Sequence, residues 1–278
     1  MRTVERERRF VCGLTRKKAT RQDVEIYSYN PSCQESRRQD RAEGKPPTFR
    51  GTPEPQANHN AAAARKWFTR LVDTNFTEQD THTTLTYEDD LLPEDEDQAD
   101  RDLNNFLRHL RRACKRQDLP PPEALIVTEH QDVDPAKKQK EVRFHHHVIL
   151  KCQLTRDEIE DCWHRNRQRL GYANADRLRK DKESLEALAT YLMKYPKRKH
   201  RYKRTRGIKD PIMPPARDGK YTRRQIERIA KNPDKLNSSD FWERKYPGWK
   251  LIEAEARYSD FLGWSISLRM YRDLRLIQ

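Results

Sequence analysis

The sequence predicts an α+β protein with a central, mainly antiparallel sheet and helices packed on it. Two observations carry that expectation. Segments with strand character recur as neighbouring pairs, at 123–130 with 142–150 and at 249–258 with 263–272. Other segments carry apolar residues at i, i+3, i+4 and i+7, the spacing of an amphipathic helix. Strands that come in hairpins, with helices between the pairs, favour α+β over a parallel βαβ array.

The chain has 278 residues, room for one large domain or two small ones. Charged residues make up 37% and hydrophobic ones 34%, yet the apolar residues are clustered and periodic, so a packed core is expected. The formal net charge of +14 suits a polyanionic partner, nucleic acid or an anionic membrane surface. The five cysteines include no C-x-x-C pair, which argues against a disulfide framework and a thiolate zinc site. The opening MRTVERERRF lacks the apolar core of a signal peptide, and no apolar run approaches membrane-spanning length. A cytosolic protein with no membrane partner is therefore expected.

Residues 1–60 read as an N-terminal extension, 61–205 as the main domain and 206–278 as a C-terminal segment with closing strands. Within the extension, RFVCGL and VEIYSY have strand character, and the polar, Pro-containing stretch 32–55 reads as a loop. Over 60–76, Ala64, Trp67, Phe68 and Leu71 take helical spacing. THTTLTY, 81–87, reads as a strand, and the acidic stretch after it suits a helix N-terminus. The following helix has one clean stripe of Leu103, Phe106, Leu107, Leu110 and Cys114, and the prolines at 120–122 end it.

EALIVTEH (123–130) and VRFHHHVIL (142–150) are expected to form an antiparallel hairpin. A helix then opens with Thr155 and Glu158 in a capping box, buries Ile159, Cys162 and Trp163, and is expected to run to Gly171. A short strand is expected within 173–179. The next helix, over 181–196, packs through Leu185, Leu188, Ala189 and Leu192 and is closed by Pro196. The basic run KRKHRYKRTR follows, then a helix at 221–231 and the closing strands, the last with Trp264, Ile266, Leu268 and Met270 on one face.

Three of the nine histidines stand together in VRFHHHVIL. Strand side chains alternate, so His145 and His147 share one face with Arg143, while Phe144, His146, Val148 and Leu150 share the other. The second face is mostly apolar and is expected to pack, making His146 a hydrogen-bonded core residue. Two imidazoles on the face of Arg143 suit a divalent metal beside a phosphate. Glu129 closes the preceding strand and can reach the pair across the hairpin. Two histidines and one carboxylate with open positions would polarise a phosphoryl oxygen. On the helix after them, Tyr191 and Lys194 are three residues apart and Tyr195 lies one turn beyond Tyr191, off the leucine stripe. A lysine and a metal favour the phenolate and the charge developing on a phosphate.

In this order, a Thr/Leu-rich strand (82–87), a His-x-His strand (145–147) and a Y-x-x-K helix (191–194), the motifs resemble the HUH superfamily of single-strand DNA endonucleases. Within it they are most similar to phage- and plasmid-type rolling-circle replication initiators, over roughly residues 65–205. The middle position of the His-hydrophobic-His triplet is here a third histidine, His146. The resemblance implies a ferredoxin- or palm-like core and a tyrosine nucleophile, Tyr191, with Lys194 beside it and Tyr195 as a second tyrosine. It implies Mg²⁺ or Mn²⁺ on His145, His147 and Glu129, and nicking and rejoining of single-stranded DNA at a replication origin. A host polymerase and helicase, in a bacterial cytoplasm, are the further partners implied, since no G-x-x-x-x-G-K-[ST] motif is present. Arg143, Lys197, Arg198, Lys199 and Arg201 are expected to bind DNA phosphates, and His200 and Tyr202 to stack on bases. The alternatives are an HUH-type transposase or relaxase, or a single-strand binding protein without catalysis.

Overall fold

In the computed structural model, residues 3–32, 42–43, 54–131, 142–179, 185–193 and 201–272 are described. The chain runs β1 (Val4–Cys12), β2 (Arg21–Tyr29), α1 (Glu54–Asn75), β3 (Thr81–Thr86), α2 (Glu96–Arg116), β4 (Glu123–Gln131) and β5 (Val142–Lys151). It continues through α3 (Arg156–Asp161), β6 (His164–Arg165), β7 (Gln168–Arg169), β8 (Ala173–Arg177), α4 (Glu186–Leu192), β9 (Lys203–Arg204) and β10 (Arg217–Asp218). It closes with α5 (Arg223–Ala230), α6 (Pro233–Leu236), α7 (Ser239–Lys245), β11 (Lys250–Ser259) and β12 (Gly263–Tyr271). The class is α+β, with two five-stranded antiparallel sheets. The chain divides into two compact units, one of Met1–Ala62 with Asp210–Gln278 and one of Ala63–Lys209.

The second unit holds the sheet β8-β3-β5-β4-β9, with the histidine strand β5 at its centre. The expected hairpin of β4 and β5 is present and antiparallel, with Glu129 opposite His145. One face packs Phe144, Val148 and Leu150 against Leu103, Phe106, Leu107 and Leu110 of α2. The whole expected stripe of α2 is buried, Cys114 included. Asp95 caps the N-terminus of α2, accepting from the Gln98 amide, so the acidic segment before it helps to start the helix.

The opposite face of the sheet is also covered. Leu125, Val127 and Ile149 pack against Phe68 and Leu71 of α1 and Ala189 and Leu192 of α4. The sequence reading gave β5 a single packed face; the second is closed because the α1 and α4 stripes need an apolar partner, and this sheet face supplies it. His147 is accordingly 5% exposed rather than open to solvent.

The helix expected to reach Gly171 stops after six residues, at Asp161. Its Thr155–Glu158 capping box forms as expected. The chain then turns through Asn166 and Arg167, both at positive φ (49° and 68°), and pairs β6 with β7. Ile159, Cys162 and Trp163 imitate helical spacing, but the last two are buried from the turn that follows the helix. Two consecutive positive-φ residues are the signature of a tight hairpin turn, which overrides the helical pattern.

The first unit holds the sheet β10-β1-β2-β12-β11. Its core joins Val24 and Ile26 of β2, Ile266, Leu268 and Met270 of β12, and Ile226, Ile229 and Trp242 of α5 and α7. Most of the loop expected over 32–55 lies outside the described residues.

Candidate active site

Strand alternation and one cross-strand pair assemble the site. His145 and His147 share a face of β5, and Glu129 of β4 lies directly opposite His145. The His145 Nε2 is 3.3 Å from Glu129 Oε2. Among the described residues, Glu129, His145 and His147 offer one ligand atom each, all within 4.8 Å of one another.

Each imidazole is held by its other nitrogen. His145 Nδ1 is 2.9 Å from the Arg143 carbonyl, which only accepts, so Nδ1 carries the proton and Nε2 faces Glu129. His147 Nδ1 lies 3.1 Å from His82 Nε2, with the two rings stacked. That leaves His147 Nε2 buried with no hydrogen-bond partner. A buried, unpartnered imidazole nitrogen beside a carboxylate and a second imidazole is the donor set of a divalent-metal site. Histidine ligands commonly have the non-ligating nitrogen tied to an acceptor; the Arg143 carbonyl is that acceptor for His145, and His82 Nε2 stands at hydrogen-bonding distance from His147 Nδ1. The residues present therefore fit a metal.

The electrostatics agree. Burial is the largest influence on His145 and pulls its pKa down. The hydrogen bonds to Glu129 and the Arg143 carbonyl, with the Glu129 charge, lift it above the usual imidazole value. Burial, then the neighbouring His145 and His82, push His147 down to about 4. Burial also lowers His82. His145 is thus held toward its protonated form beside Glu129, while His147 is neutral above about pH 4.

His146 is on the other face and fully buried. Its Nε2 is 2.9 Å from the Tyr87 hydroxyl and its Nδ1 2.8 Å from Thr128 Oγ1. It is a core residue, not part of the cluster.

Tyr191 comes from α4, which the buried Ala189 and Leu192 fix to the sheet. Its side chain is exposed, at 58%, and its ring centroid lies 6.0 Å from that of His147. The fold thus brings a solvent-facing phenol to the edge of the His/Glu cluster. Lys194, Tyr195, Lys197, Arg198, Lys199 and His200 lie outside the described residues. Arg201 is half-buried. Arg143 is engaged, 2.6 Å from Asp89 and donating to the Tyr87 carbonyl at 3.3 Å. The Tyr202 ring, expected to stack on bases, has its centroid 5.2 Å from that of Phe68.

His82 escaped the sequence reading. It sits on the Thr-rich strand β3, whose Thr84 faces His147, so His82 reaches His147 on the diagonal. Its only sequence signal is a histidine in a neighbouring strand, which says nothing until the β3–β5 register is known.

Residues 80–200 match the family model of the ORF2-type replication-associated proteins, that of phage rolling-circle replication initiators. The matched span contains His82, Glu129, His145, His147 and Tyr191. No curated protein and no solved structure gives a significant match to the chain.

Proposed function

We propose, from the replication-associated family that residues 80–200 match, that this protein nicks and rejoins single-stranded DNA at an origin to start rolling-circle replication of a phage or plasmid. The observation that supports this best is the juxtaposition of the exposed Tyr191 ring with the buried His147, whose Nε2 has no partner. A binding module needs neither the orphaned nitrogen nor the carboxylate beside it.

Glu129, His145 and His147 would hold a divalent cation, Mg²⁺ or Mn²⁺, which when bound stabilises charge on the phosphoryl oxygens. The Tyr191 oxygen attacks phosphorus, the new O–P bond forms, and the bond to the 3′ oxygen breaks. The phenol loses its proton to solvent and the departing 3′ oxygen gains one, leaving a 5′-phosphotyrosine and a free 3′-OH. That hydroxyl primes a host polymerase, and a host helicase opens the duplex. Reversal on a new 3′-OH rejoins the ends. Lys194, three residues after Tyr191 in the sequence, would supply a cation for the developing charge. Tyr195 would serve a second transfer. Arg143, Lys197, Arg198, Lys199 and Arg201 would follow the DNA backbone. The setting is a bacterial cytoplasm; among the described residues no helix is long and apolar enough to cross a membrane.

The test is covalent capture. Wild type with Mn²⁺ and origin-containing single-stranded DNA should give an adduct that survives SDS, mapped by mass spectrometry to Tyr191. Tyr191→Phe keeps the ring and should bind DNA with no adduct. An adduct on Tyr191→Phe would overturn the assignment of the nucleophile, and no adduct on wild type would leave a non-catalytic binder.

A further inference from the structure

The first unit lies outside the matched span and carries an arginine groove of its own. Arg9, Arg16, Arg217 and Arg272 line a cavity of about 410 Å³ with Trp249 and the Pro214–Ala216 segment. No carboxylate lines it, and among the described residues none of the four guanidiniums pairs with one.

The groove is built rather than incidental. The backbone of Ile212 bridges to that of Val11, and Arg217 stands opposite Glu7 in the β1–β10 strand register. Four residues, 213–216, therefore span the three of β1 between those anchors, and the Pro-Pro segment arches away from the strand. Arg9 is held by neutral groups, donating through Nε to Gln22 Oε1 at 2.9 Å, with its guanidinium 5.8 Å from the Tyr246 ring. Arg272 donates to the Ala19 carbonyl at 2.8 Å and lies 4.6 Å over Trp249. Burial lowers the Arg272 pKa, a cost that no neighbouring acid offsets. Arg16 and Arg217 are exposed at the rim.

Four like charges gathered without counter-charge repel one another until an anion enters. We infer that this groove binds the phosphate backbone of DNA as a second contact surface, remote in sequence from the nucleophile. Trp249 is 7% exposed and faced by Arg272, so it orients a guanidinium and offers no face for stacking a base. Recognition here is by phosphate and independent of sequence. The inference rests on DNA as the partner of the proposed function, but not on cleavage.

The experiment uses the full chain with Arg16→Gln and Arg217→Gln together, rim residues whose side chains hold no part of the fold. DNA binding is followed by fluorescence anisotropy against salt, on a mixed-sequence single strand and on a duplex. Losing two phosphate contacts should flatten the slope of log K against log salt by about 1.4 for single strands or about 1.8 for duplex. The DNA that shows its full expected change, with the other showing little, is the strand form that occupies the groove. Affinity at 0.1 M salt should fall about 25-fold for single strands or about 60-fold for duplex. Lys231→Gln with Arg257→Gln, outside the groove, is the charge control. Adduct formation on a short oligonucleotide reports Tyr191 separately, so a protein that binds without cutting would sink the nuclease reading and leave this one standing. Unchanged slopes on both DNAs, or equal loss in the control, would overturn the groove as a DNA site.

Discussion

Two histidines two residues apart acquire opposite acid–base character from their surroundings. Glu129 and the Arg143 carbonyl favour the protonated form of His145, while burial favours the neutral form of His147. Below its raised pKa, His145 holds a proton that a metal would have to displace, whereas His147 is already neutral above about pH 4. Apparent Mn²⁺ affinity should therefore fall as the pH drops through the raised His145 pKa and level off above it, measured by Mn²⁺ EPR. A flat profile between pH 5 and 9 would show that the proton is not in competition. His82→Phe keeps a ring against His147 but removes the acceptor, and should weaken Mn²⁺ binding about 10- to 100-fold. His146→Ala should leave Mn²⁺ binding intact and cost about 3 kcal/mol in urea unfolding, since it removes hydrogen bonds to two hydroxyls and opens a cavity. His145, His147 and Glu129 could be read from alternation and one hairpin, both local patterns. His82 could not, because its partner is set by a register between strands far apart in sequence.

The failure of the helix after Thr155 has a local cause. Asn166 and Arg167 both occupy the left-handed region, which costs about 1–2 kcal/mol for a non-glycine residue. Arg167 is exposed in that turn. Arg167→Gly, giving Asn-Gly, should raise stability by about 0.5–1 kcal/mol with no loss of adduct formation. A fall in the urea midpoint would mean that the arginine side chain contributes more than its backbone costs. The sequence marked the start of α3 because a capping box is a four-residue signal. It hid the end because Ile159, Cys162 and Trp163 satisfy helical spacing while belonging to two kinds of structure. The second covered face of β5 was hidden for a related reason: alternation tells which residues share a face, not whether another helix lies on it.

The ends of the chain meet in one sheet, where β2 pairs with both β1 and β12. Each strand could be read from its own residues, but nothing local in β2 announces a partner more than two hundred positions away. The unit is tied internally by a buried relay. Glu7, 1% exposed, accepts from the Tyr246 hydroxyl at 2.6 Å and pairs with Lys220, and the Tyr221 hydroxyl is 3.0 Å from that of Tyr246. Burial raises both phenols, Tyr221 to about 12, so both stay protonated. With its own proton spent on Glu7, Tyr246 accepts from Tyr221. Tyr246→Phe would therefore deprive two buried groups at once, one of them charged, at a cost of about 2–4 kcal/mol. The loss should fall on the core built from β1, β2 and β12, since the core around β3, β4 and β5 is a separate set of side chains. Hydrogen exchange should thus show amides of β1, β2 and β12 losing protection while those of β3, β4 and β5 keep theirs. Equal loss in both sets would mean that the two cores unfold as one, and an unchanged pattern would mean that the relay does not stabilise its unit.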